Sequence, residues 1–84
     1  MDRTQRLQHL LGFLRTIQRP DRPLDGVAEN ESLVGSGLID SLALLQIVVY
    51  LEETYGIDFA VRGVEPEELQ SMGSILDLID REAR

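Results

Sequence analysis

Apolar residues recur along this chain with a helical period. Between Thr4 and Ile17 they stand at Leu7, Leu10, Leu11, Leu14 and Ile17, the i, i+3, i+4, i+7 spacing of one buried stripe, with Phe13 beside it. The spacing predicts a first helix. Asp2 or Thr4 is placed to cap its start, Arg15 and Arg19 lie near the negative end of its dipole, and Pro20 stops it. Its arginines read as a solvated face.

The stretch from Asp21 to Gly37 holds Pro23, three glycines and several small polar residues, and predicts a long loop anchored to the core by Leu24, Val27 and Leu33. Leu33-Val34 followed by Gly35-Ser36-Gly37 predicts a chain that touches the core, turns sharply and leads into Asp40-Ser41. From Leu42 to Tyr55 a second helix is predicted. The segment is rich in β-branched residues, as a buried strand would be, but fourteen residues with a 3.6 period favour a helix. Helical rotation gathers Leu44, Leu45, Val48, Leu51, Glu52 and Tyr55 on one side and leaves Ala43, Gln46, Tyr50 and Glu53 opposite. Gly56 is a natural stop.

Beyond it, Ile57, Phe59 and Val61 alternate as in an extended connector laid over the core. Pro66-Glu67-Glu68-Leu69 has proline and acids where the first turn of a helix prefers them. A last helix is marked by Met72, Ile75, Leu76 and Ile79, flanked by Leu78 and Ala83, with Ser71 as its cap. The expected fold is therefore all-α: three main helices and one short one, in a single domain spanning residues 1–84.

Composition narrows the chemistry. Eighty-four residues form one core and not two, and 43% hydrophobic against 27% charged residues belong to a globular chain. Aromatics are scarce and there is no tryptophan, so the interior is built from Leu, Ile and Val. The absence of cysteine removes disulfides, thiolate metal sites and a cysteine nucleophile, so any thiol must come from a cofactor. Met1 to Leu11 lacks the apolar core of a signal peptide, and the run from Leu42 to Leu51 is far shorter than the roughly 20 residues that span a bilayer. A cytoplasmic protein with no membrane partner is expected.

The net charge of −7 is unevenly spread. Residues 1–22 hold five arginines and two acids, whereas residues 23–84 hold three arginines and thirteen acids. Such a surface repels phosphate backbones, which argues against nucleic acid and for basic protein partners.

The richest segment is Gly35-Ser-Gly-Leu-Ile-Asp-Ser-Leu42, which sets a serine where a glycine-containing loop meets the start of an apolar helix. Unpaired N–H groups and a partial positive charge make such a helix start a seat for phosphate. Taken alone, Asp40 and Ser41 read as ordinary helix caps. Set after Gly37-Leu38-Ile39 and before a helix ending in Glu52-Glu53-Thr-Tyr-Gly-Ile57, they resemble the attachment region of acyl carrier proteins. The likeness in helix order covers nearly the whole chain.

That resemblance implies a carrier whose Ser41 receives 4′-phosphopantetheine from coenzyme A through a phosphopantetheinyl transferase, with cargo held as a thioester on the arm. It implies that Asp40 helps position the transferase's metal and phosphate chemistry. It also implies that Leu42 touches partner enzymes: an acyl- or aminoacyl-activating ligase and downstream transferases or synthases. Members serving fatty-acid synthesis carry acids on the exposed face of the second helix. Here the matching places hold Ala43 and Gln46, and only Glu52 and Glu53 keep the charge. The expected docking face is Leu42, Ala43, Gln46, Val49, Tyr50 and Glu53, resting on apolar burial more than charge, as in stand-alone carriers of specialised pathways.

An enzyme is not expected. His9 is the only histidine and falls beside the apolar stripe of the first helix, Ser41 does not sit in a Gly-x-Ser-x-Gly elbow, and no His or Cys cluster offers a metal site. A monomer is expected. The competing reading is a helical interaction module of carrier-like fold that is never modified, in which Ser41 is only a cap.

Overall fold

The computed structural model describes residues 2–18 and 27–82. The expectations placed on Arg19, Pro20, Leu24 and Ala83 lie outside the described residues. Helix α1 (Arg3–Ile17), helix α2 (Ala43–Tyr55) and helix α4 (Met72–Glu82) are the main elements, with a single-turn helix α3 (Phe59–Arg62) and a 3₁₀ turn (Pro66–Leu69) between α2 and α4. No strand occurs among the described residues. The architecture is the all-helical bundle expected from the apolar spacing, and it is acyl-carrier-like as the resemblance implied.

The caps explain where the helices begin and end. Asp2 accepts a 2.9 Å hydrogen bond from the Gln5 amide while the Gln5 side chain accepts one from the Asp2 amide, closing a capping box at α1. Ser71 Oγ accepts from the Ser74 amide at 3.1 Å, and Ser74 Oγ accepts from the Ser71 amide, so α4 is capped reciprocally as well. Gly56 adopts a left-handed conformation, φ 70°, and returns its N–H to the Glu52 carbonyl, ending α2.

α1 packs on both α2 and α4, and the 3₁₀ turn packs on α4. Leu10, Leu14, Ile47, Leu51, Ile75, Leu76, Leu78 and Ile79 are fully enclosed between them. Each such side chain contributes roughly 1.5–3 kcal/mol by leaving water. The long loop joins the same core: Leu33, Leu38 and Ile39 are buried, Leu33 donates to the Gln70 carbonyl at 2.8 Å, and Leu38 and Ile39 donate back to Leu33. Gly37, at φ 79°, makes the reversal that brings Leu38 inward. The loop is thus pinned one residue before Asp40.

Two expectations are corrected here. The Ile57–Val64 connector is not extended throughout: Asp58 Oδ1 accepts from the Val61 amide and starts α3, which buries Phe59 and leaves Val61 84% exposed. The arginines of α1 are not merely solvated. Arg3 pairs with Glu29, Asp77 and Asp80 at 3.1, 3.1 and 3.3 Å, and Arg6 pairs with Asp80, fastening the start of α1 to α4.

Candidate functional site

Asp40 is the structural cap of α2. Its Oδ1 accepts from the Ala43 amide at 3.0 Å, and its main-chain carbonyl takes the same amide at 3.1 Å. Leu44 and Leu45 then donate to the carbonyls of Ser41 and Leu42, so the first turn is wound tightly before regular α-helix follows. Ser41 and Leu42 occupy that turn, outside the body of the helix. Ser41 is exposed, and its hydroxyl makes no hydrogen bond among the described residues. The Ser41 and Leu42 amides are likewise not bonded to described main-chain acceptors. An exposed serine with a free hydroxyl and two amides without a partner among the described residues therefore stand at the positive end of α2.

Along α2 the buried line runs Ala43, Ile47, Leu51. The exposed line runs Leu42, Leu45, Val49, one turn apart, with Gln46 and Glu53 beside it. Leu42, Gln46, Val49 and Glu53 thus stand on the open face of α2, Leu42 beside Ser41 and Glu53 in the last turn. Ala43 does not: it is 5% exposed and is turned into the core, away from the open face. Leu45, assigned to the core side from its spacing, is 66% exposed. The reason is that the first nine residues of α2 are apolar on nearly every side, so periodicity leaves the rotation of the helix undetermined. Ile47, the centre of the buried line, carried no signal of its own.

Tyr50 is half-buried. Its ring stacks on Phe13 of α1, with centroids 4.3 Å apart and planes 10° from parallel, and meets Tyr55 edge-on at 6.1 Å. Burial, ahead of the neighbouring Tyr55 hydroxyl, pushes the Tyr50 phenol above its usual range. The two tyrosine hydroxyls lie near each other, but neither makes a well-aligned hydrogen bond among the described residues. Tyr50 is thus a wall between α1 and α2 more than a free docking residue.

That wall bounds an open groove of about 580 Å³ between α1 and α2, floored by Phe13, Ile17, Leu45, Val49 and Tyr50, with Glu53 at one end. Sequence spacing did not reveal it, since it depends on which face α2 turns outward.

The chain matches the family model described as a phosphopantetheine attachment site over residues 14–80. It belongs to that family. The match spans α2 with its capped start and the loop that positions it, consistent with the acyl carrier proteins, and makes this chain a phosphopantetheine-carrying carrier protein whose cofactor is 4′-phosphopantetheine. Comparison with curated proteins and with solved structures gives no match. No helix among the described residues is long and apolar enough to cross a membrane.

Proposed function

We propose that residues 1–84 act as one carrier domain that holds acyl or aminoacyl groups as thioesters on a phosphopantetheine arm attached to Ser41, and presents them to partner enzymes. The observation that carries this reading is the exposed Ser41, inside the matched region, at a helix start where the Ser41 and Leu42 amides have no partner among the described residues. A phosphodiester on Ser41 finds hydrogen-bond donors and a favourable dipole there. The nearest carboxylate, Asp40, is turned toward the Ala43 amide and holds the turn in place. In the transfer the Ser41 oxygen forms the new ester bond to phosphorus, its proton leaves, and the adenosine bisphosphate half of coenzyme A departs. When bound, the arm supplies the thiol that this cysteine-free chain lacks.

Leu42, Gln46, Val49 and Glu53 form the partner face in this reading, with Leu45 added and Ala43 removed. The partners are a phosphopantetheinyl transferase, a loading ligase and downstream transferases or synthases. The chain itself catalyses no step, works as a cytoplasmic monomer, and its sparse acid on α2 suits specialised pathways. Intact mass before and after incubation with coenzyme A and a broad-specificity transferase tests the assignment. A gain of one phosphopantetheine in the wild type but not in Ser41→Ala is expected. No gain under conditions that modify a known carrier overturns it in favour of an unmodified interaction module.

A further inference from the structure

We propose that Gly73 is a positioning residue for Ser41: the bare backbone at the start of α4 seats the loop that presents the acceptor serine to the transferase. The inference rests on the carrier reading and goes beyond it, because that reading leaves open what fixes the serine in place.

Two main-chain bonds running in opposite directions hold the loop. Leu33 donates to the Gln70 carbonyl and Gly73 donates to the Glu29 carbonyl, both at 2.8 Å. The second bond engages one of the N–H groups that a helix start leaves without an intrahelical partner, so the loop caps α4 while α4 holds the loop. From there the seat is passed toward the serine. The Leu33 carbonyl accepts from the Leu38 and Ile39 amides at 3.0 and 3.2 Å, and all three side chains are buried. Ile39 is two residues from Ser41, so a displacement of the segment 29–33 reaches the serine through close-packed contacts.

The approach is tightest at Gly73. Alanine is the better helix former, and Gly73 does not have a positive φ, so neither propensity nor conformation calls for glycine there. Space does. A Cβ at this position would stand 3.2 Å from the Glu29 carbonyl oxygen and 3.5 Å from the Glu29 Cβ, so the neighbour would have to give by a few tenths of an ångström. Glu29 is restrained from the other side: Arg3 holds its carboxylate at 3.1 Å and is itself paired with Asp77 and Asp80 of α4. Gly12 of α1 supplies the contrast, since a Cβ there meets nothing within 4 Å.

The geometry of Ser41 matters because its oxygen must lie in line with the phosphorus it attacks. A misplacement of 1 Å can cost on the order of 100-fold in rate, so a few tenths of an ångström is expected to cost about three- to fivefold.

The test varies the carrier against coenzyme A and a broad-specificity phosphopantetheinyl transferase, with mass gain giving kcat and KM and circular dichroism giving Tm. Gly73→Ala is expected to keep a Tm near that of wild type, since helix propensity offsets the tightened contact, and to keep KM, since the exposed face of α2 is untouched. Its kcat is expected to fall about three- to fivefold. Gly12→Ala, the same change where there is room, is expected to leave kcat and KM at wild-type values. Glu29→Ala keeps the carbonyl but releases the loop from Arg3, and is expected to lower kcat in the same direction. In isotopically labelled protein, Gly73→Ala is expected to shift the amides of Leu38, Ile39 and Ser41 as well as those beside it.

A folded Gly73→Ala with wild-type kcat overturns the inference and leaves the carrier reading standing. So does a raised KM at unchanged kcat, or amide shifts that stop short of Leu38. If Gly73→Ala does not fold, wild-type kcat in Glu29→Ala overturns it equally. Absence of any mass gain in the wild type overturns the carrier reading itself, and the inference with it.

Discussion

Asp40 caps α2 and, in the proposed function, is also assigned a role toward the transferase; the two can be separated. Its Oδ1 accepts from the Ala43 amide at 3.0 Å, the bond that starts α2 one residue before Ser41. Asp40→Ala removes that acceptor and should cost about 1 kcal/mol, within the usual range for losing an N-cap. In a domain of this size that lowers Tm by roughly 4–8 °C. Asp40→Asn keeps a side-chain oxygen at the same place, and asparagine caps as well as aspartate, so its Tm should stay within about 2 °C of wild type. If the carboxylate also serves the transferase, Asp40→Asn should fold normally yet take up phosphopantetheine more slowly. Asp40→Ala should lose on both counts. Thermal unfolding by circular dichroism alongside the rate of mass gain decides between them. An alanine variant as stable as wild type would refute the capping argument. An asparagine variant modified at the wild-type rate would confine Asp40 to a structural role.

Other consequences follow from packing and charge. Ile47→Ala, at a fully enclosed site, should lose about 2–5 kcal/mol, whereas Leu45→Ala, two residues away but exposed, should stay within about 0.5 kcal/mol by urea denaturation. Tyr50→Phe removes a buried hydroxyl that has no partner among the described residues, and should leave Tm unchanged or raise it. Arg62, with help from the Glu65 amide and Arg81, holds the Glu68 carboxyl below its usual range. A depressed carboxylate stabilises the fold above its ordinary pKa, and that contribution disappears as pH falls through the lower folded value. The Tm advantage of wild type over Glu68→Gln should therefore be full at pH 7 and shrink as the pH is taken down from about 4.

What was legible in the sequence depended on contrast between faces. α4 separates polar and apolar positions cleanly, so its buried line through Ile75, Leu76 and Ile79 follows from spacing, and in α1 the few apolar residues themselves mark the line through Leu10 and Leu14. The caps at Asp2, Ser71 and Gly56 were readable because each residue type has a local reason to be there. α2 lacked contrast. With leucine, isoleucine and valine on nearly all sides, only the partner surfaces of α1 and α4 decide that Ile47 turns in and Leu45 turns out. The error at Ala43 has the same origin: alanine fits either environment, and the cap at Asp40 rotates it inward. Of the two short elements after α2, the turn at Pro66–Leu69 was readable from its proline and acids, whereas α3 was read as extended because four residues are too few to display a period.

The charge distribution shows why counting acids along the chain is a poor guide to docking. Glu29, Asp77 and Asp80 are gathered by Arg3 and Arg6, while Glu68 and Glu82 are gathered by Arg62, with Arg81 also on Glu68. Much of the acidity is thus paired on the α4 side of the bundle, where exposed pairs contribute little stability but lower the field a partner meets. Apart from Asp40, engaged at the helix cap, the face bearing Ser41 presents Leu42, Leu45 and Val49 first and carboxylates only a turn or more farther along, at Glu52 and Glu53. A partner that recognises this face should bury apolar surface near Ser41 and find charge at the far end of α2. Its affinity should then depend weakly on salt and strongly on Leu42. Binding of the holo protein to its loading enzyme, measured by calorimetry across ionic strength, tests the point: a steep loss of affinity with salt and indifference to Leu42→Ala would show that charge, not apolar burial, holds the complex.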